Sequence, residues 1–137
     1  IQFRKNFKIL IRSGFLEIGD GTCFNTNCSI NCLGTINIGN DCLFGESVKL
    51  YDHNHIHNDL NKNIIEQGFD IGKIKIGNNC WIGSNVIILN NVTIGDNVII
   101  GANSLIFKSI PSDTIVKCKS ELIITNRQSD SKYFNTV

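Results

Sequence analysis

All three histidines of this 137-residue chain fall within five residues, at His53, His55 and His57, alternating with Asn54 and Ile56. In an extended segment alternate side chains share a face, so all three would point one way. Imidazole is a base near neutral pH and also a metal ligand, so two kinds of chemistry are open to the cluster. As a metal site, His-x-His-x-His without a fixed Cys or carboxylate partner is a weak signal. As a source of one general base it is sufficient by itself. The third alternative is plain exposed loop histidines. Asp52 precedes the cluster and could orient an imidazole, but nothing in the sequence places its carboxylate.

The elements that must hold this segment announce themselves by period. From Ile76 the chain reads IGNNCW, IGSNVI, ILNNVT, IGDNVI, IGANSL, IFKSIP, with isoleucine leading every block and the fifth position small or β-branched, the bulkier Ile110 being the exception in size. The leaders Ile18, Phe24, Ile30, Ile38, Phe44 and Leu50 repeat the pattern upstream, with a two-residue slip before Ile38. A six-residue period does not fit a helical stripe. It fits short strands in which the fifth residue of one block and the leader of the next both point inward, with Gly and Asn turning a corner after each. Three such faces per turn close a triangular coil of parallel strands. The expectation is an all-β, parallel β-helix of about four to five coils forming one domain over residues 1–137. Residues 3–12 alternate Phe3, Lys5, Phe7, Ile9 and Ile11 against the residues between them and are expected to add a further partial coil, and a non-repeat tail is expected over about 112–137. Between Tyr51 and Gly72 the period fails, and this stretch of some twenty residues, an inserted loop at about 52–73, contains every histidine. A long interruption in a regular solenoid is usually functional.

Composition narrows the field. A formal charge of +1 offers no basic footprint for nucleic acid, and Arg4, Lys5, Lys8 and Arg12 read as a solvated face. No apolar run is long enough to span a membrane and no secretory signal is visible, so the expected compartment is the cytoplasm. The absence of Met implies that an N-terminal portion precedes Ile1. Six cysteines without a CxxC pair are expected as reduced thiols. Cys80, as an inward fifth residue, is expected to pack and not to act as a nucleophile.

The hexapeptide blocks, LYDHNHIHND and CWIGSNVIILNNVTIGDNVIIGANSLIFKSIP resemble the left-handed β-helix acyltransferases over about residues 14–116, notably the maltose, galactoside and Nod-factor O-acetyltransferases and their capsule and lipopolysaccharide relatives. The resemblance implies the left hand of the coil, which spacing does not set. It also implies a homotrimer with active sites between subunits, acetyl-CoA as co-substrate, a sugar or glycan-precursor hydroxyl as acceptor, and no metal. Counted from Leu50, the family histidine falls on His55, with His53 the runner-up. By the same matching Asn25, in FNTNCSIN, would contact the acceptor or the acetyl group. Trp81, Ser84, Ala102 and Lys108 would bind the coenzyme, the last through its phosphates. After Pro111 the family's Gly-x-Pro-Ala segment is missing, so no coenzyme contact is expected beyond Lys108. Three alternatives stay open: N-acetylation of an amino sugar or sugar nucleotide, a metal lyase of the γ-carbonic anhydrase kind, and a non-catalytic scaffold.

Overall fold

A computed structural model describes residues 1–122, 124 and 125; Ile123 and residues 126–137, most of the expected tail, lie outside the described residues. The chain is a left-handed parallel β-helix with three faces. The first face stacks Gln2–Phe3, Cys23–Phe24, Leu43–Phe44, Trp81–Ile82, Ile99–Ile100 and Ile115–Val116. The second stacks Lys8–Ile11, Ser29–Cys32, Lys49–Tyr51, Ile87–Ile88 and Leu105–Ile106. The third stacks Phe15–Ile18, Thr35–Ile38, Lys73–Ile76 and Val92–Ile94.

The rod is longer than the expected four to five coils, since the first face carries six strands. Two segments account for the difference. Residues 3–12 do add to the rod, as two strands on two faces: Asn6 at φ 59° turns a corner between Gln2–Phe3 and Lys8–Ile11. At the other end Ile115–Val116, expected as tail, pairs with Ile99–Ile100.

Side-chain alternation builds the core. The fifth-position residues Cys80, Val86, Val92, Val98 and Ser104, and the leaders Ile76, Ile82, Ile88, Ile94 and Ile100, are all buried. Removing such an isoleucine from water is worth about 1.5–3 kcal/mol, so the ladder of leaders dominates the stability of the rod. Phe24 and Phe44 stack with ring centroids 4.3 Å apart. Corners obey the same clock: Asn27, Asp41, Ser47, Asn79, Asn85, Asn91, Asn97 and Asn103 all follow a leader by three and have φ between 57° and 61° or a few degrees lower, down to 53° at Asn79. That left-handed backbone suits Asn and Asp better than other non-glycine residues. The pattern lapses at Leu33, His53 and Ser109, all on the corner between the second and third faces.

That corner ejects the loop. Leu50 pairs with Ile88 and Ile88 with Ile106, spacings of 38 and 18 residues, so twenty residues leave the rod and return without shifting any register.

Candidate active site

The ejected segment is an arm rather than a floppy loop. His53–His55 pairs antiparallel with Phe69–Ile71, and the Ile56 amide donates to Gly68 O at 3.0 Å. At the tip Gln67 donates to Asp59 O (2.9 Å) and Lys62 O (3.0 Å) and accepts from the Asp59 amide (3.0 Å). Asn54 Nδ2 donates to Asn90 Oδ1 at 3.2 Å, tying the arm to the next coil.

The histidines therefore differ. Asp52 is fully buried, and its carboxylate accepts from the Leu33 amide (2.9 Å) and the Gly34 amide (2.8 Å) and lies 2.9 Å from His53 Nδ1. Burial pushes the Asp52 carboxyl up, yet the Leu33 amide, the His53 ring and the Gly34 amide outweigh it and hold the group below its ordinary value. Burial and the Asp52 charge push the neighbouring Cys32 thiol up to about 11. The His53 side chain keeps only 14% of its surface exposed. His55, one pleat further out, is exposed, and among the described residues its ring has no hydrogen-bond partner; it packs on Phe69, 4.6 Å between centroids. His57 is exposed too, and its Nδ1 donates to the His55 carbonyl at 3.0 Å. Arg12, read from sequence as solvated, lies 6.0 Å over the Phe69 ring. Among the described residues no three of His, Cys, Asp and Glu gather as metal ligands.

The remaining sequence-derived residues fall on two corners. Register places Lys108 in the same corner row as Asp52 and Asn90, two coils beyond the arm. Asn25, Ser84 and Ala102 lie at the opposite edge of the second face, where the first face ends. Asn25 and Trp81, half-buried and 56% exposed respectively, line one groove of about 330 Å³ with Arg4 and Leu43. The Asn25 side-chain oxygen accepts from the Thr26 amide at 2.8 Å, so it also serves the turn. Ser84 Oγ accepts from the Glu46 amide at 3.2 Å, while the Ser84 and Ala102 amides donate to no acceptor among the described residues. One chain thus brings together Asn25, Trp81, Ser84 and Ala102 along one edge and the histidines with Lys108 along another.

Cys80 belongs to neither edge. It is 2% exposed and donates to Gly95 O at 3.1 Å. The adjacent Cys42 thiol draws that of Cys80 below its ordinary value, but the sulfur is sealed in the core. Cys80→Val, which installs the residue found at Val86 and Val98, is expected to change stability by less than about 1.5 kcal/mol, as near-isosteric core swaps do; urea unfolding checks this.

Residues 73–108 match the family model described as bacterial transferase hexapeptide (six repeats). Over 123 residues the chain is 38% identical to galactoside O-acetyltransferase of Escherichia coli strain K12, covering 87% of this chain and 58% of that protein. The chain thus carries the hexapeptide repeat of that family and resembles one of its transferases over most of its own length. Its fold is similar to a hexapeptide-repeat-containing acetyltransferase from Vibrio cholerae, with TM-score 0.68 and 27% identity over 84% of this chain and 66% of that one; the same protein is also known in complex with acetyl coenzyme A. It is likewise similar to a galactoside acetyltransferase in complex with coenzyme A, with TM-score 0.67 and 33% identity over 83% of this chain and 58% of that one. The chain spans between 38% and 58% of the length of the curated relatives it matches.

Among the described residues no helix is long and apolar enough to cross a membrane. The Asp52 contact to Leu33 and Gly34 escaped sequence reasoning. The two-residue slip before Ile38, one coil above the arm and on the same corner, is the signal from which it could have been found.

Proposed function

We propose that this chain is an acetyl-CoA-dependent acetyltransferase acting on a sugar or glycan-precursor hydroxyl, with His55 as the general base. The observation that carries the proposal is the stiff arm presenting an exposed, unpartnered imidazole from a rod whose relatives are seen with acetyl coenzyme A or coenzyme A bound. In the reaction the acceptor oxygen attacks the acetyl carbonyl carbon as His55 takes the hydroxyl proton. The tetrahedral oxyanion collapses, the carbon–sulfur bond breaks, and the coenzyme leaves as thiolate, to which the imidazolium returns the proton. No covalent enzyme intermediate is needed.

The division of candidate residues between two corners supports a site completed by a second copy. The arm and Lys108 of one subunit would face Asn25, Trp81, Ser84 and Ala102 of the next, in a closed homotrimer. The exposed stripe Leu43, Trp81 and Ile115 on the first face gives such an assembly apolar surface to bury. The Ser84 and Ala102 amides would hold the pantetheine arm and Lys108 the phosphates, and the expected compartment is the cytoplasm.

The test is acetyl-CoA with a panel of neutral sugars, amino sugars and sialic acids, followed by mass spectrometry of the products. A mass gain of one acetyl group removed by mild base identifies an ester and supports the proposal. A base-stable product would make the enzyme an N-acetyltransferase. No transfer to any acceptor, together with no thermal shift from acetyl-CoA, would favour a scaffold.

A further inference from the structure

The corner between the second and third faces is irregular in two consecutive coils, and the two irregularities meet. In one coil the slip at residues 32–34 turns the Leu33 and Gly34 amides toward the next coil, and in that coil Asp52 fills the space between them with its carboxylate. The Asp52 carbonyl also accepts from the Gly72 amide at 2.7 Å, where the arm re-enters the rod. A Cβ on Gly34 would collide with the Gly72 carbonyl, so the departing chain, the returning chain and the slipped corner share one close-packed joint. A buried carboxylate in such a joint is held in place by two amides and keeps acceptor capacity for a ring N–H.

We infer that Asp52 is a positioning residue that locks the arm to the rod through His53, fixing where the outer histidine is presented. Accepting the Nδ1 proton sets the His53 tautomer and ring plane, and the T-shaped contact of His53 with Phe69, 5.3 Å between centroids, passes that constraint to the ring on which His55 packs. The slip and the arm are two halves of one device. This rests on the acetyltransferase proposal for its kinetic consequence but not for its structural one.

The experiment combines kinetics with hydrogen exchange on the full chain. Asp52→Asn is expected to lower kcat at least tenfold with the KM for acetyl-CoA within twofold, and to speed exchange at the Leu33 and Gly34 amides and along residues 53–56. His53→Ala, which leaves the coil side of the joint untouched, is expected to reproduce the kinetic loss. His53→Asn, whose carboxamide N–H can still reach Asp52, is expected to restore most of it. Wild-type kcat in Asp52→Asn, or unchanged exchange at both amides, overturns the inference, as does a loss confined to the KM for acetyl-CoA. Absence of any transfer by the unaltered protein would defeat the enzymatic proposal instead, and the exchange result would then decide the joint alone.

Discussion

His55→Ala is expected to lower kcat by about a hundred- to ten-thousandfold, the usual contribution of a positioned general base, with little change in the KM for acetyl-CoA. The expectation follows from where the ring sits. It is exposed on a hairpin braced at its root by Asp52 and at its tip by Gln67, and among the described residues neither ring nitrogen is engaged. Removing it deletes a proton acceptor without opening the core. Steady-state rates with acetyl-CoA and the best acceptor from the panel, alongside circular dichroism and the oligomer mass, separate lost chemistry from lost structure. Full activity in His55→Ala, combined with failure of His53→Asn to rescue His53→Ala, would transfer the base to His53.

The second large effect is on stability. Phe44→Ala is expected to cost about 3–5 kcal/mol, at the upper end for a core truncation. Phe44 is 4% exposed and stacks on Phe24 in the neighbouring coil. Its backbone is clamped on both sides, the Asn25 amide donating to Phe44 O at 3.0 Å and the Gly45 amide to Ile82 O at 2.8 Å. Coils held at strand spacing cannot slide inward to fill the vacancy, so the cavity term stays nearly whole. Urea unfolding at fixed protein concentration measures it, with Phe44→Leu as the milder comparison. A loss below about 1 kcal/mol would mean that the stack collapses after all.

Much of the architecture was legible because it depends on short-range rules repeated many times. Isoleucine at every sixth residue fixes which way each strand faces, and Asn79, Asn85, Asn91, Asn97 and Asn103 mark each turn. The ends were harder. Ile115–Val116 returns to the first face only sixteen residues after Ile99–Ile100, with Asp113 turning the corner in place of Asn, so the last strand looked like tail. At the arm the sequence disclosed the histidines and the break in period but not their unequal settings. That inequality comes from Asp52 meeting amides nineteen and eighteen positions earlier, a contact between coils that no local pattern encodes. The two-corner distribution of Asn25, Trp81 and Lys108 was equally hidden, because a list of residues does not say which edge of a prism each one occupies.

The strands on either side of the arm keep their pairing as though the twenty residues were absent, since Lys73–Ile76 stacks on Thr35–Ile38 in the same phase as Val92–Ile94 does on Lys73–Ile76. The rod's register therefore sets no length for the chain that leaves it here, provided Asp52 still meets the Leu33 and Gly34 amides and Gly72 still meets the Asp52 carbonyl. An arm longer or shorter beyond that joint would leave every coil in phase.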